Sequence, residues 1–127
     1  MLRDKNSSAI VAVTDMDRAR RFYGQTLGLE ASGDDMGEED VAGYRTGDTS
    51  LTVYRSDYAG TNKANAVTWD VGEELNGIVD DLKGKGVTFE HYDMPGLTLD
   101  GDVHRGDGMG LVWFRDPDGN ILHLIGR

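Results

Sequence analysis

Residues 14–29 read Thr14-Asp15-Met16-Asp17-Arg18-Ala19-Arg20-Arg21-Phe22-Tyr23-Gly24-Gln25-Thr26-Leu27-Gly28-Leu29. Met16, Ala19, Phe22, Tyr23 and Leu27 recur at helical spacing, and Arg18, Arg20 and Arg21 fall largely off that face. Thr14 and Asp15 supply an N-cap pair, and Gly28 stops the helix. The three arginines read as a solvated face that Asp17 partly offsets.

Working outward, Ala9–Val13 before the helix is a short β-branched run suited to a strand. After it, Leu29–Asp34 reads as a strand, Asp34–Asp40 as an acidic turn and Val41–Thr46 as another strand. Gly47-Asp48 then turns the chain into Leu51–Tyr54. The order is β-α-β-β-β, and it begins again. Ala66–Val71 is strand-like, and Gly72-Glu73-Glu74 opens a helix whose acids suit the N-terminal dipole. Leu75, Ile78, Val79 and Leu82 form its apolar stripe, and Gly84 and Gly86 end it. Val87–His91, Leu111–Arg115 and Ile121–Ile125 read as strands, with a hairpin turn at Asp116-Pro117-Asp118-Gly119.

The two halves are copies of one plan. At an offset of 59, Met16, Ala19 and Tyr23 fall on Leu75, Ile78 and Leu82, and the helix-ending glycines Gly28 and Gly86 are 58 apart. The second copy is longer through the turn-rich stretch from Asp93 to Gly108, which is Gly-rich and acidic and reads as a candidate lid. One helix over one sheet leaves a sheet face uncovered, so the two copies must join to bury a core. The expected fold is α+β: a single domain of two tandem βαβββ modules, about 8–55 and 64–127, with curved mixed sheets around a cleft and helices outside.

The 127 residues carry 23 acidic and 13 basic side chains, a net charge of −10, and no cysteine. Such a field repels phosphate backbones and argues against nucleic-acid binding, while mildly favouring cationic ligands. The missing cysteines exclude disulfides, thiolate metal sites and cysteine nucleophiles. No apolar run approaches the ~20 residues of a membrane span, and no signal peptide is visible, so a cytoplasmic location is expected.

Three stretches resemble the vicinal oxygen chelate superfamily of glyoxalase I, bleomycin-resistance proteins and extradiol dioxygenases. They are Thr14–Tyr23 with Leu27-Gly28-Leu29, then Gly86-Val87-Thr88-Phe89, and Trp113–Asn120 followed by Ile121–Ile125. The resemblance implies the fold just described and a homodimer. In metal-dependent members it also implies four ion-binding strand positions, which fall here on Ser8, Thr52, Ala66 and His123. Of these side chains only the imidazole suits the borderline metals of the superfamily; alanine has no donor, and neutral hydroxyls are poor ligands. No metal or other cofactor is therefore expected.

Strand alternation assigns the uncovered faces independently. If Val11, Val13, Leu51, Val53, Val67, Trp69, Val71, Leu122 and Leu124 face the helices, then Ser8, Thr52, Tyr54, Ala66, Thr68, Asp70 and His123 face the cleft. Tyr44 and Trp113, on neighbouring strands of the two modules, join Tyr54 as a possible stacking set for a planar or cationic ligand. His91 and His104 read as surface residues.

The ligand-binding candidates are thus Ser8, Tyr44, Thr52, Tyr54, Thr68, Trp113 and His123. The expected function is metal-independent binding of a small organic molecule, aromatic and cationic ones included. Two alternatives stay open: an enzyme of lyase, isomerase or dioxygenase type using His123 as catalytic residue, with or without a divalent ion, and a structural protein whose cleft is filled by its own side chains.

Overall fold

The computed structural model describes residues 1–33 and 39–127, so most of the acidic turn expected at 34–40 lies outside the described residues. The described chain divides into two compact units: residues 1–62 with Pro117–Asn120, and residues 63–116 with Ile121–Arg127.

In the first unit, β1 (Ala9–Val13) lies parallel to β4 (Thr49–Arg55), β3 (Val41–Thr46) antiparallel to β4, and β2 (Glu30–Ala31) antiparallel to β3. The sheet order is β1-β4-β3-β2. One face carries Val11, Val13, Ala42, Tyr44, Leu51 and Val53, all buried. With Met16, Ala19 and Tyr23 of the helical segment they make this unit's core. The strand expected over Leu29–Asp34 is only two residues long.

The helix begins as read, with Asp15 as N-cap accepting from the Arg18 amide at 3.1 Å. It does not continue as one α-helix. The α-helical α1 (Met16–Arg20) passes into a π-helical turn, Arg21–Thr26, where the Leu27 amide donates to Phe22 O at 2.8 Å. The wider turn buries Tyr23 with its ring 6.3 Å from that of Tyr44, and Gly24 lowers the cost of leaving α geometry.

Arg18 is not part of a solvated face. Its Nη2 donates to Asp118 Oδ1 at 3.1 Å and to Thr14 Oγ1 at 3.2 Å. Pro117–Asn120 is therefore built into the first unit, where Asn120 Nδ2 also donates to Ala12 O at 2.8 Å.

In the second unit, β5 (Asn65–Gly72) lies parallel to β10 (Ile121–Gly126), and β9 (Met109–Arg115) pairs antiparallel with β10. The far edge of β9 is shared. Its Arg115 end pairs with β6 (Phe89–Glu90), and its Met109 end with β8 (Val103–Gly106), which continues the hairpin from β7 (Thr98–Asp100). β6 is thus the counterpart of β2, and the extra length of the second copy is the β7–β8 hairpin. Within the stretch read as a candidate lid, Thr98–Asp100 and Val103–Gly106 are hydrogen-bonded sheet.

Its turn signal was present: Asp107-Gly108, both left-handed, joins β8 to β9 as an Asp-Gly two-residue hairpin requires. The helix α2 (Leu75–Gly84) buries Leu75, Val79 and Leu82. Leu75 rests where β9 and β10 have no side chain: a Cβ on Gly110 would meet Leu75 Cδ2 at 2.6 Å, and one on Gly126 would meet Leu75 Cβ at 2.9 Å. No described helix is long and apolar enough to cross a membrane.

Candidate functional site

On the first unit's sheet, register sets Ile10 beside Thr52 and Ala12 beside Tyr54, on the face opposite the core. Thr52 and Tyr54 are half-buried there, and Ile10 is 62% exposed. Ser8 is held near them by its hydroxyl, 2.9 Å from that of Ser50. Tyr44 stands on the other face, in the core beside Tyr23. Burial pushes its phenol above the usual range, and the charge of Arg20 opposes that shift.

On the second unit's sheet the face opposite the helix is built around β10. His123 lies between Thr68 of β5 and Trp113 of β9 by register. Its Nδ1 is 2.9 Å from Val112 O, and a carbonyl only accepts, so Nδ1 carries the hydrogen and Nε2 keeps a lone pair. Burial, at 8% exposure, holds the imidazole below the usual histidine range, and the Val112 carbonyl acts against that shift. At neutral pH His123 is therefore an uncharged hydrogen-bond acceptor.

The Trp113 ring stacks on His123, with centroids 4.7 Å apart and planes 22° from parallel. It also meets the His104 and Tyr92 rings in T-shaped arrangements, with centroids 5.0 and 5.2 Å away. Only 7% of Trp113 is exposed, so it is a cover for the imidazole rather than an open platform.

His104 is not a surface residue; it is buried. Its Nδ1 donates to Leu111 O at 3.2 Å and its Nε2 accepts from the Tyr92 amide at 2.9 Å, so both ring nitrogens are used. His91 does reach the surface, where its Nε2 donates to Asp102 Oδ1 at 2.7 Å. Lys83 Nζ reaches the other oxygen at 2.9 Å. Hydrogen bonds from Lys83 and then His91 hold the Asp102 carboxyl below its usual range.

Sequence reading missed Asn65. Simple alternation puts Ala66, Thr68 and Asp70 on one face and Asn65 with Val67 on the other. The register breaks, however: Ile121 pairs with Asn65 and Leu122 with Val67, leaving Ala66 as an extra residue. This bulge turns Asn65 toward the His123 side, where its Oδ1 accepts from Trp113 Nε1 at 3.2 Å. Nothing in the one-dimensional pattern marks such a bulge.

The donor set does not fit a divalent ion. Ser8 and Thr52 offer neutral hydroxyls, Ala66 offers nothing, and His123 alone has a free ring nitrogen. Among the described residues no three His, Cys, Asp or Glu side chains are gathered. A pocket of about 630 Å³ opens beside the start of α1, lined by Asp15, Asp17, Arg20, Asp40 and Arg55 among others. None of the expected ligand-binding residues lines it.

Comparison with solved structures places this architecture among known ones. A superfamily member from Sphaerobacter thermophilus shares 22% identity at a TM-score of 0.67, with 97% of each chain covered. The genomically encoded fosfomycin resistance protein FosX from Listeria monocytogenes shares 13% at a TM-score of 0.71, covering 97% of this chain and 93% of its own. An integron cassette protein from the mobile metagenome of a Halifax Harbour sewage outfall shares 16% at a TM-score of 0.68, with 97% and 98% covered. These likenesses concern the fold. No curated protein matches the chain. The family model for the Glyoxalase/Bleomycin resistance protein/Dioxygenase superfamily matches residues 7–124, and the chain belongs to that superfamily.

Proposed function

We propose that the protein binds a small organic molecule without a divalent ion, and that His123 recognises it. The observation that carries this reading is the imidazole itself. One nitrogen is committed to Val112 O, leaving the other as an uncharged acceptor on the sheet face opposite the helix. Thr68 lies beside it by register and adds a hydroxyl. The first unit, taken by itself, presents the hydroxyls of Ser8, Thr52 and Tyr54 on the face opposite its core. The Nε2 acceptor and the net charge of −10 favour ligands that donate hydrogen bonds, cationic ones included.

The test is a thermal-shift screen of aromatic amines, amidines and glycopeptide antibiotics, run with chelator and again with nickel, zinc, iron or manganese. Stabilisation by an organic compound in chelator, lost in His123→Ala, supports the reading. Elemental analysis showing a stoichiometric transition metal in protein purified without chelator overturns it.

One observation favours a second reading, an enzyme of this superfamily: an imidazole kept neutral near pH 7 is also a proton acceptor. His123→Gln separates the two. An enzyme keeps ligand affinity and loses turnover; a binding protein loses affinity and has no turnover to lose.

A further inference from the structure

We infer that Asn65 is a positioning residue that ties the Trp113 indole across β10 and thereby covers one face of the His123 imidazole. The inference rests on the reading of His123 as the ligand-recognising group and says how the ligand must meet it.

The sheet order places β10 between β5 and β9, so a bond from Asn65 Oδ1 to Trp113 Nε1 passes over the middle strand. The indole that makes this bond is the ring stacked on His123. Indole Nε1–H is a donor only, and burying it without an acceptor is unfavourable; Asn65 supplies that acceptor. The bulge at Ala66 is what makes the reach possible, because regular alternation would aim Asn65 at the helix-covered face.

The consequence is chemical. With one ring face under the indole and Nδ1 bound to Val112, the imidazole offers its Nε2 edge. A ligand meets His123 through a donated hydrogen rather than by stacking between His123 and Trp113. Ammonium, amidinium, hydroxyl and amide groups qualify.

The test needs no ligand. Diethylpyrocarbonate carbethoxylates uncharged, accessible imidazole nitrogens, and peptide-level mass spectrometry resolves His123 from His91 and His104. In Asn65→Leu the indole loses its acceptor, and His123 should react about five- to tenfold faster, the factor that one lost hydrogen bond makes in a local opening equilibrium. Asn65→Asp keeps an acceptor oxygen and should restore the slow rate. Trp113→Phe removes the donor, so its His123 should react fast whatever stands at position 65.

The inference is overturned if folded Asn65→Leu reacts at the wild-type rate with its Trp113 indole NMR resonance unmoved. It is overturned equally if residue 65 still changes the rate in the Trp113→Phe background. Should the ligand screen fail while these rates behave as stated, the proposed function falls and the positioning role stands.

Discussion

Asp118 grips Thr14 at two points, 104 positions away in sequence. Its Oδ2 accepts from the Thr14 amide at 3.1 Å, and its Oδ1 accepts from the Thr14 hydroxyl at 2.5 Å and from Arg18 at 3.1 Å. The loop between the two most sheltered strands of the second sheet is thus part of the first unit's helix start.

Asp118→Ala removes a carboxylate only 6% exposed, strands the Thr14 amide and takes away the ion-pair partner of Arg18. Loss of about 2–3 kcal/mol is expected, read as a lower urea midpoint at unchanged slope. Asp118→Asn, which retains one acceptor oxygen, should recover part of it.

Glycine substitutions should rank by what the new methyl meets. Gly60→Ala is the worst, because its Cβ would lie 2.2 Å from the Asp118 carbonyl oxygen and φ is +74°. Gly110→Ala meets the ends of Leu75 and Val103, which can shift, so a smaller cost of about 1–3 kcal/mol is expected. Thermal melts of the two variants check the order.

His104→Leu should destabilise the second unit by about 1–3 kcal/mol, because the Tyr92 amide and the Leu111 carbonyl both lose a partner. Hydrogen exchange at the Tyr92 amide should accelerate in the same variant.

As pH falls through the ordinary histidine pKa of about 6.5, stability should fall, and His123 should account for part of the slope. The folded imidazole resists protonation because it is buried, so the unfolded chain takes up its proton first. The stabilisation is complete above the ordinary histidine pKa and is lost as pH falls below it. One proton contributes at most about 1.4 kcal/mol per pH unit. His123→Gln should flatten the urea-derived stability profile across this window; an unchanged slope would mean that burial does not oppose the charge.

Much of the architecture was legible. Thr14-Asp15 and Gly28 bounded the first helical segment, Leu75, Val79 and Leu82 marked the second, and alternation separated Val11, Val13, Leu51 and Val53 from Thr52 and Tyr54. These are local properties, set by the period of side chains along a helix or strand and by turn residues that admit few conformations. The site was legible only where alternation stayed regular. His123 and Thr68 are register partners on one face, whereas Tyr44 packs with the core and His104 lies beneath Tyr92.

Composition, repeat and turn chemistry by themselves determined that this chain makes two βαβββ units with one face of each sheet free of helix. Only the tertiary structure decided that Ala66 is bulged, that Asn65 consequently reaches Trp113, and that the imidazole of His123 keeps a single nitrogen unoccupied. A bulge is a matter of how two strands pair, and a pairing energy belongs to neither strand alone.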